Sequence, residues 1–197
     1  MIHRTGVSGL KVRQVAARAG VNLGMFHYHF GSKREFNRRV LESIYGEFFG
    51  RLSGGISEAG AGVPRERLKR ALLAIARFGR ENRGLLLALL RDLLNEDAEV
   101  LGFVRRNFPR HIAILVRLVR ECQRAGIMRK CSLPVALTML AGGIMSAPIG
   151  VGMLERVSPG PVFGLLMPAL RIAMVSDRAL EERVETMLDA LRPPGRS

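Results

Sequence analysis

The chain contains no tryptophan and only two tyrosines, and aromatic residues make up 6% of it. That is too few to build the stacking platform on which single-stranded nucleic acid is usually held. Cysteine is equally scarce: Cys122 and Cys131 cannot form a disulfide framework and make no CxxC pair, so reduced thiols are expected. Among His3, His27, His29 and His111 no HxxxH pair occurs, and His27 and His29 lie two apart, on different faces of a helix. Neither a metal site nor a cofactor is expected. There is no P-loop, no nucleophile elbow and no clustering of acid and base residues, so the sequence does not read as an enzyme. Met1–Leu10 lacks an apolar h-region, which argues against a secretory signal peptide. Strand signals are almost absent as well.

What is abundant is apolar surface and arginine. Hydrophobic residues form 48% of the 197 positions and charged residues 24%, enough to bury a substantial helical core. The formal net charge is +14, which suggests a polyanionic partner. Only Lys11, Lys33, Lys69 and Lys130 are lysines, so part of this balance is an arginine bias of composition. Its distribution is more telling. Residues 1–51 hold nine bases against three acids and residues 52–130 sixteen against eight, whereas residues 131–197 hold six of each. The neutral last third therefore reads as a part with a separate task. Ser132–Leu154 carries no charge and is long enough to span a bilayer, but it includes Pro134, Pro148 and four glycines around a small-residue centre. A buried helix at a protein–protein contact accounts for it without a membrane.

Along the chain, Val12, Val15, Ala16 and Ala19 mark one face of a short helix that Gly20 ends. Val21 plugs the turn. Asn22 is a good N-cap for a second helix, Leu23–Phe30, with Phe26 and Phe30 facing the core and Gly31 closing it. Lys11 is a poor cap for the first. Ser32-Lys33-Arg34-Glu35 reads as a reciprocal capping box opening a long helix in which Phe36, Val40, Ile44 and Phe48 step by four. Helix, tight turn, helix and capped third helix is the trihelical DNA-reading arrangement. The glycine-rich segment 53–64 reads as a flexible joint, with Pro64 suited to a helix start. Beyond it, helical periods predict helices near 64–80, 83–95, 98–125, 133–154, 161–175 and 177–192, with a kink or break at Pro109. The expected architecture is all-α: a head over 1–52, a joint over 53–64 and a helical body over 65–197.

The elements VAARAGV, GxF-x-YHF and SKREF occur in order between Val15 and Phe36, and together they resemble the DNA-binding signature of the TetR family of bacterial repressors. The resemblance implies a homodimer with two DNA heads and a helical body that binds a small molecule. It makes Leu23–Phe30 the recognition helix. Asn22, Leu23, Met25, His27, Tyr28 and His29 take the DNA-facing positions, Lys33 the phosphate-binding position and Arg13 a further DNA contact. The side chains suit those roles: Arg13 can pair bidentately with guanine, while Tyr28, His29 and Lys33 offer donors to phosphate oxygens. Family members usually carry a whole helix before the glycine corresponding to Gly6, and only Met1–Thr5 precede it here, so that helix is expected to be missing or vestigial.

The same resemblance implies a four-helix dimer bundle, for which Leu133–Leu154 and Asp177–Leu191 are the candidates. Leu137, Leu140, Ala141, Gly142, Ile144 and Met145 are the expected interface residues. Ser146 and Ala147 add small side chains that permit close approach. An effector pocket is expected among Phe78, Phe103, Phe108, His111, Met139 and Phe163, and the nine methionines would make it adaptable to an apolar or amphipathic ligand. The leading expectation is a cytoplasmic, ligand-responsive repressor that binds a palindromic operator in double-stranded DNA as a dimer, with no membrane partner. The alternatives are an architectural or partner-controlled DNA binder without an effector, and a helical enzyme or membrane-surface protein with a fortuitous motif.

Overall fold

A computed structural model describes residues 5–7, 9–60, 62–157 and 161–194, although not the side chains of 161–163. The described residues form nine helices and no strand. These are α1 Val12–Ala19, α2 Leu23–Phe30, α3 Lys33–Glu58, α4 Pro64–Glu81, α5 Arg83–Leu94, α6 Ala98–Arg124, α7 Leu133–Val157, α8 Pro161–Val175 and α9 Asp177–Ala190. The expectation about a missing first helix falls on Met1–Thr5, of which only Thr5 is among the described residues.

Local chemistry sets the first boundaries. Gly20 turns into the left-handed region at φ 69°, and its N–H reaches back to the Ala16 and Ala17 carbonyls, ending α1. The Asn22 side chain accepts the Met25 N–H at 2.7 Å and starts α2. Lys11 makes no side-chain cap, as its chemistry predicts. The capping box is only half formed. Ser32 Oγ accepts the Glu35 N–H at 3.1 Å, but the Glu35 carboxylate turns to Arg38 and Arg39 instead of reaching back.

Two compact units emerge. One combines Met1–Glu47 with Gly84–Pro109; the other combines Phe48–Arg83 with Arg110–Ser197. Two of the three boundaries fall inside helices α3 and α6, and the third follows the first residue of α5. Pro109 does not break α6, yet the division falls at that residue. The expected joint over 53–64 is shorter than its glycines suggested, because α3 continues to Glu58. Gly55 sits 3.5 Å, measured from an added Cβ, from the Arg70 carbonyl of α4. Tertiary contact there overrides the poor intrinsic helix propensity of glycine.

In the first unit α1 packs on α2, and α3 is tied to α6. Asn37 donates to Glu99 at 3.3 Å, and the Tyr45 hydroxyl donates to the Asn107 carbonyl at 2.7 Å. The buried line of α3 is Asn37, Leu41, Tyr45 and Leu52, one residue round from the expected Phe36, Val40, Ile44 and Phe48, which are half-buried. On α1 only Ala16 is fully buried, and Ala19 is exposed because α1 contributes little more than one turn to the packing. Val21 is likewise exposed rather than plugging the turn.

The second unit is a bundle in which α4 packs on α7 and α9, and α7, α8 and α9 contact one another. Its core includes Leu68, Leu72, Leu118, Val119, Leu140, Ile144, Leu180 and Val184. Acids of α9 neutralise bases of α4: Arg65 pairs with Glu185 at 2.5 Å and Asp189 at 2.8 Å, Lys69 with Glu185 at 2.5 Å, and Arg77 with Asp177 at 3.0 Å. The even charge balance of the last third therefore serves internal pairing with the basic stretch before it.

Within one chain, the expected interface residues of α7 divide between the core and the outside. Leu140 and Ile144 are both 1% exposed within the body's core, Ala147 is buried too, and Leu137 and Met145 pack half-buried against the core. Only Ala141 and Gly142 of the six expected residues face outward, as Ser146 does. Helix α7 is apolar and long enough to cross a membrane by length and composition; its inward line is that core face.

Candidate nucleic-acid interface

Helix α2 is two-faced over its two turns. Phe26 points inward, 2% exposed, with the Phe30 and Phe36 ring centroids each 5.1 Å away and those two rings 4.9 Å from each other. This three-ring cluster fixes the rotation of α2 about its axis. Every other side chain from Asn22 to His29 is exposed, Tyr28 at 82%. The predicted set Asn22, Leu23, Met25, His27, Tyr28 and His29 is thus presented outward by one helix.

Arg13 is exposed on α1, and Lys33 is exposed at the first position of α3. Helix N-termini carry unsatisfied N–H groups and a positive dipole end, which suits phosphate. Two side chains are partly committed. Asn22 spends its carbonyl oxygen on the α2 cap, leaving its amide N–H groups to donate outward. His27 Nδ1 lies 3.3 Å from the Gly31 carbonyl, its partner when that nitrogen carries the proton, which leaves Nε2 for a ligand. The Tyr28 and His29 rings meet edge to face at 5.3 Å.

Acid near this face is neutralised. Arg38 and Arg39 hydrogen-bond to Glu35 and hold its carboxyl at about 2, well below the usual carboxylate range, so it stays ionised and paired. Sequence reasoning passed over Arg34, whose side chain is 82% exposed next to Lys33 and 4.0 Å from Glu99. Its place one residue into α3, within the SKREF element, was the available signal.

Of the six expected effector residues, Phe78, His111, Met139 and Phe163 belong to the second unit and Phe103 and Phe108 to the first. Phe78 and His111 both approach Phe48 in the second unit, at centroid distances of 5.1 Å and 5.3 Å. Phe103 stacks edge-on against Tyr45 in the first unit. Phe108 and Met139 are exposed, and the Phe163 side chain lies outside the described residues. Burial pushes the His111 imidazole down to about 4, so the ring is neutral at ordinary pH.

Residues 1–40 match the family model for bacterial regulatory proteins of the tetR family. The head carries the TetR signature. All the exposed α1–α3 residues named above fall within the matched stretch. No curated protein matches the sequence. Among solved structures, the chain shares its fold with a Rhodococcus sp. protein assigned to the TetR-family transcriptional regulators (TM-score 0.64, 22% identity, 98% of this chain and 92% of that one). It is similar to the ketosteroid transcriptional regulator KstR2 of Mycobacterium tuberculosis (TM-score 0.69, 15% identity, 98% and 90% covered). It is also similar to the regulator FadR of Bacillus subtilis, solved in complex with stearoyl-CoA (TM-score 0.64, 18% identity, 89% and 92% covered). The TetR-type fold therefore extends over head and body, while the TetR sequence signature is confined to the head.

Proposed function

We propose that this chain is a cytoplasmic transcriptional regulator that reads double-stranded operator DNA with α2, and that a small molecule bound in its body weakens that binding. The observation that carries the reading is the exposure of Asn22, Leu23, Met25, His27, Tyr28 and His29 on a helix whose only deeply buried side chain is Phe26. An exposed tyrosine beside cations at helix ends has little to gain from water alone, but it matches a phosphate backbone. In this reading α2 enters the major groove, Arg13 contacts a base edge, and Tyr28, His29 and Lys33 hold phosphates.

Two copies bind a palindromic site as a homodimer. The outward apolar side chains that support this lie on α7 and α8 rather than on α9: Val135, Met139 and Met153, with Leu165 at 83% and Ile172 at 68% exposure. The outward face of α9 is charged and partly engaged with α4. The effector is apolar or amphipathic. The aromatic and neutral-imidazole grouping of Phe48, Phe78 and His111 favours such a ligand, as do Met145 and Met187 packed against the core. The stearoyl-CoA bound by the like-folded FadR is a ligand of that kind.

The test is binding of the full chain to a labelled duplex taken from immediately upstream of its own gene, titrated with random competitor and with salt. Tight, competitor-resistant binding with a steep salt slope is expected. Weak, sequence-blind binding contradicts operator recognition.

A further inference from the structure

On α5 the residues Leu85, Ala88 and Asp92 follow the i, i+3, i+7 spacing of one helix face, and all three are buried. A carboxylate on such a stripe is costly to desolvate and persists only where it is well partnered. Asp92 is 1% exposed, and its Oδ2 accepts the Val7 backbone N–H at 2.9 Å across 85 residues of sequence. Arg91 Nη2 lies 3.2 Å from Asp92 Oδ1 and donates to the Thr5 carbonyl at 2.5 Å. Gly6, between these two anchored residues, has φ 74°, and a Cβ there would overlap Arg91 Nη2 and lie 2.6 Å from both Asp92 oxygens. Only glycine fits the turn.

The anchored turn leads directly into the head. Val7 is 1% exposed and its carbonyl accepts the Leu10 N–H; Leu10, 3% exposed, precedes the N-cap of α1, and α1 packs on α2. At the other end, the Asp92 carbonyl accepts the Asp97 N–H at 3.0 Å, and Asp97 Oδ1 accepts the Glu99 and Val100 N–H groups that open α6. One buried side chain thus ties the approach to α1 to the corner between α5 and α6, inside the same compact unit.

We propose that Asp92, assisted by Arg91, is the positioning residue of the DNA-reading head, setting the placement of α1 and hence of α2 by clamping the Thr5–Val7 turn to α5. The inference rests on the DNA-binding reading of α2. Asp92→Asn keeps the shape but halves the accepting capacity and removes the charge, and Arg91→Met removes the guanidinium that holds Thr5. The full-length chain and both variants are compared in two measurements. The first is amide hydrogen exchange. The second is affinity for a duplex that the wild-type chain selects from a random-sequence pool, set against affinity for a random duplex.

The expected result for Asp92→Asn is exchange at Val7 faster by about tenfold or more, the scale of a lost hydrogen bond to a charged group. The body amides of Leu118, Val119 and Val151 keep wild-type protection. Affinity for the selected duplex falls by about tenfold, while affinity for random duplex, which is largely electrostatic, stays within about twofold. Arg91→Met moves every readout the same way by less. Unchanged Val7 exchange in Asp92→Asn overturns the clamp. A uniform rise of exchange in head and body overturns positioning and makes Asp92 a general stability residue. If the wild-type chain selects no sequence at all, the DNA-binding reading falls, and the exchange result still decides whether the clamp exists.

Discussion

Replacing Phe26 by alanine separates the two faces of α2. The ring is 2% exposed and sits 5.1 Å from both the Phe30 and Phe36 rings. Truncating a buried phenylalanine costs about 3–5 kcal/mol, and each lost aromatic pair adds up to about 1 kcal/mol. Phe30 and Phe36 are only half-buried and can close part of the gap, which places the cost near the lower end, about 3 kcal/mol. A unit of roughly seventy residues has a stability of about 4–10 kcal/mol. Phe26→Ala therefore removes a large share of it and lowers the melting midpoint of the head-bearing unit by about 12–24 °C. The composition supplies the assay. Both tyrosines, Tyr28 and Tyr45, lie in that unit and the chain has no tryptophan, so intrinsic fluorescence reports it alone while far-ultraviolet circular dichroism reports all helices. The fluorescence transition should move far below the main dichroism transition. Tyr28→Phe, at an 82% exposed position, should move neither, yet weaken DNA binding by about fivefold through one lost hydroxyl donor. If Phe26→Ala leaves the fluorescence transition in place, or shifts both transitions by the same amount, the two-faced account of α2 is wrong.

Other predictions concern the body. His111 has its imidazole pKa lowered to about 4 against 6.5 unperturbed, so the folded state binds fewer protons than the unfolded one between those values. Its contribution is present above pH 6.5 and lost as pH falls toward 4, on the order of 2 kcal/mol after allowance for partial solvent access. The urea midpoint of His111→Phe should vary less between pH 7 and pH 5 than that of wild type; equal variation contradicts the assignment. Glu185, Glu155 and Asp177, held below their usual values chiefly by hydrogen bonds from Lys69, Arg83 and Arg80 respectively, stabilise the fold above the ordinary carboxylate range. That support disappears as pH falls through their depressed values. Leu140→Ala should cost about 2–5 kcal/mol in urea unfolding, whereas Ile172→Asp, on the exposed face of α8, should leave secondary structure intact and reduce the sedimenting mass. A mass unchanged by Ile172→Asp removes α8 from the dimer face. Burial pushes the Cys122 thiol up to about 11, so a thiol reagent at pH 8 should label the half-buried Cys131 alone until the protein is unfolded.

Much of this architecture is legible in the sequence because the helices are strongly periodic and end on chemically distinct residues. Gly20 and Asn22 mark the turn before α2, and the body helices begin and end within three residues of the periods read from the chain. The exposed set on α2 follows from the same logic, since Phe26 and Phe30 define the inward side of a two-turn helix. What was illegible depends on contacts distant in sequence. Gly54 and Gly55 spell a loop by propensity, but α4 packs against that stretch and keeps it helical. Leu140 and Ile144 are apolar and evenly spaced, and nothing local distinguishes a core-facing residue from one facing a second copy. The attachment of residues 84–109 to the head had a single local trace, the aspartate on the apolar stripe of α5, and its partner at Val7 is 85 residues away.

The most direct test of the central claim is the salt dependence of binding to a selected duplex by wild type and by Lys33→Met. Each phosphate contact contributes about 0.9 to the slope of log affinity against log salt. A chain that grips DNA with α2 and the start of α3 should show a steep wild-type slope, reduced by about that amount for each Lys33 lost. An unchanged slope in Lys33→Met, together with equal affinity of wild type for selected and random duplexes, would contradict the assignment of this face to DNA.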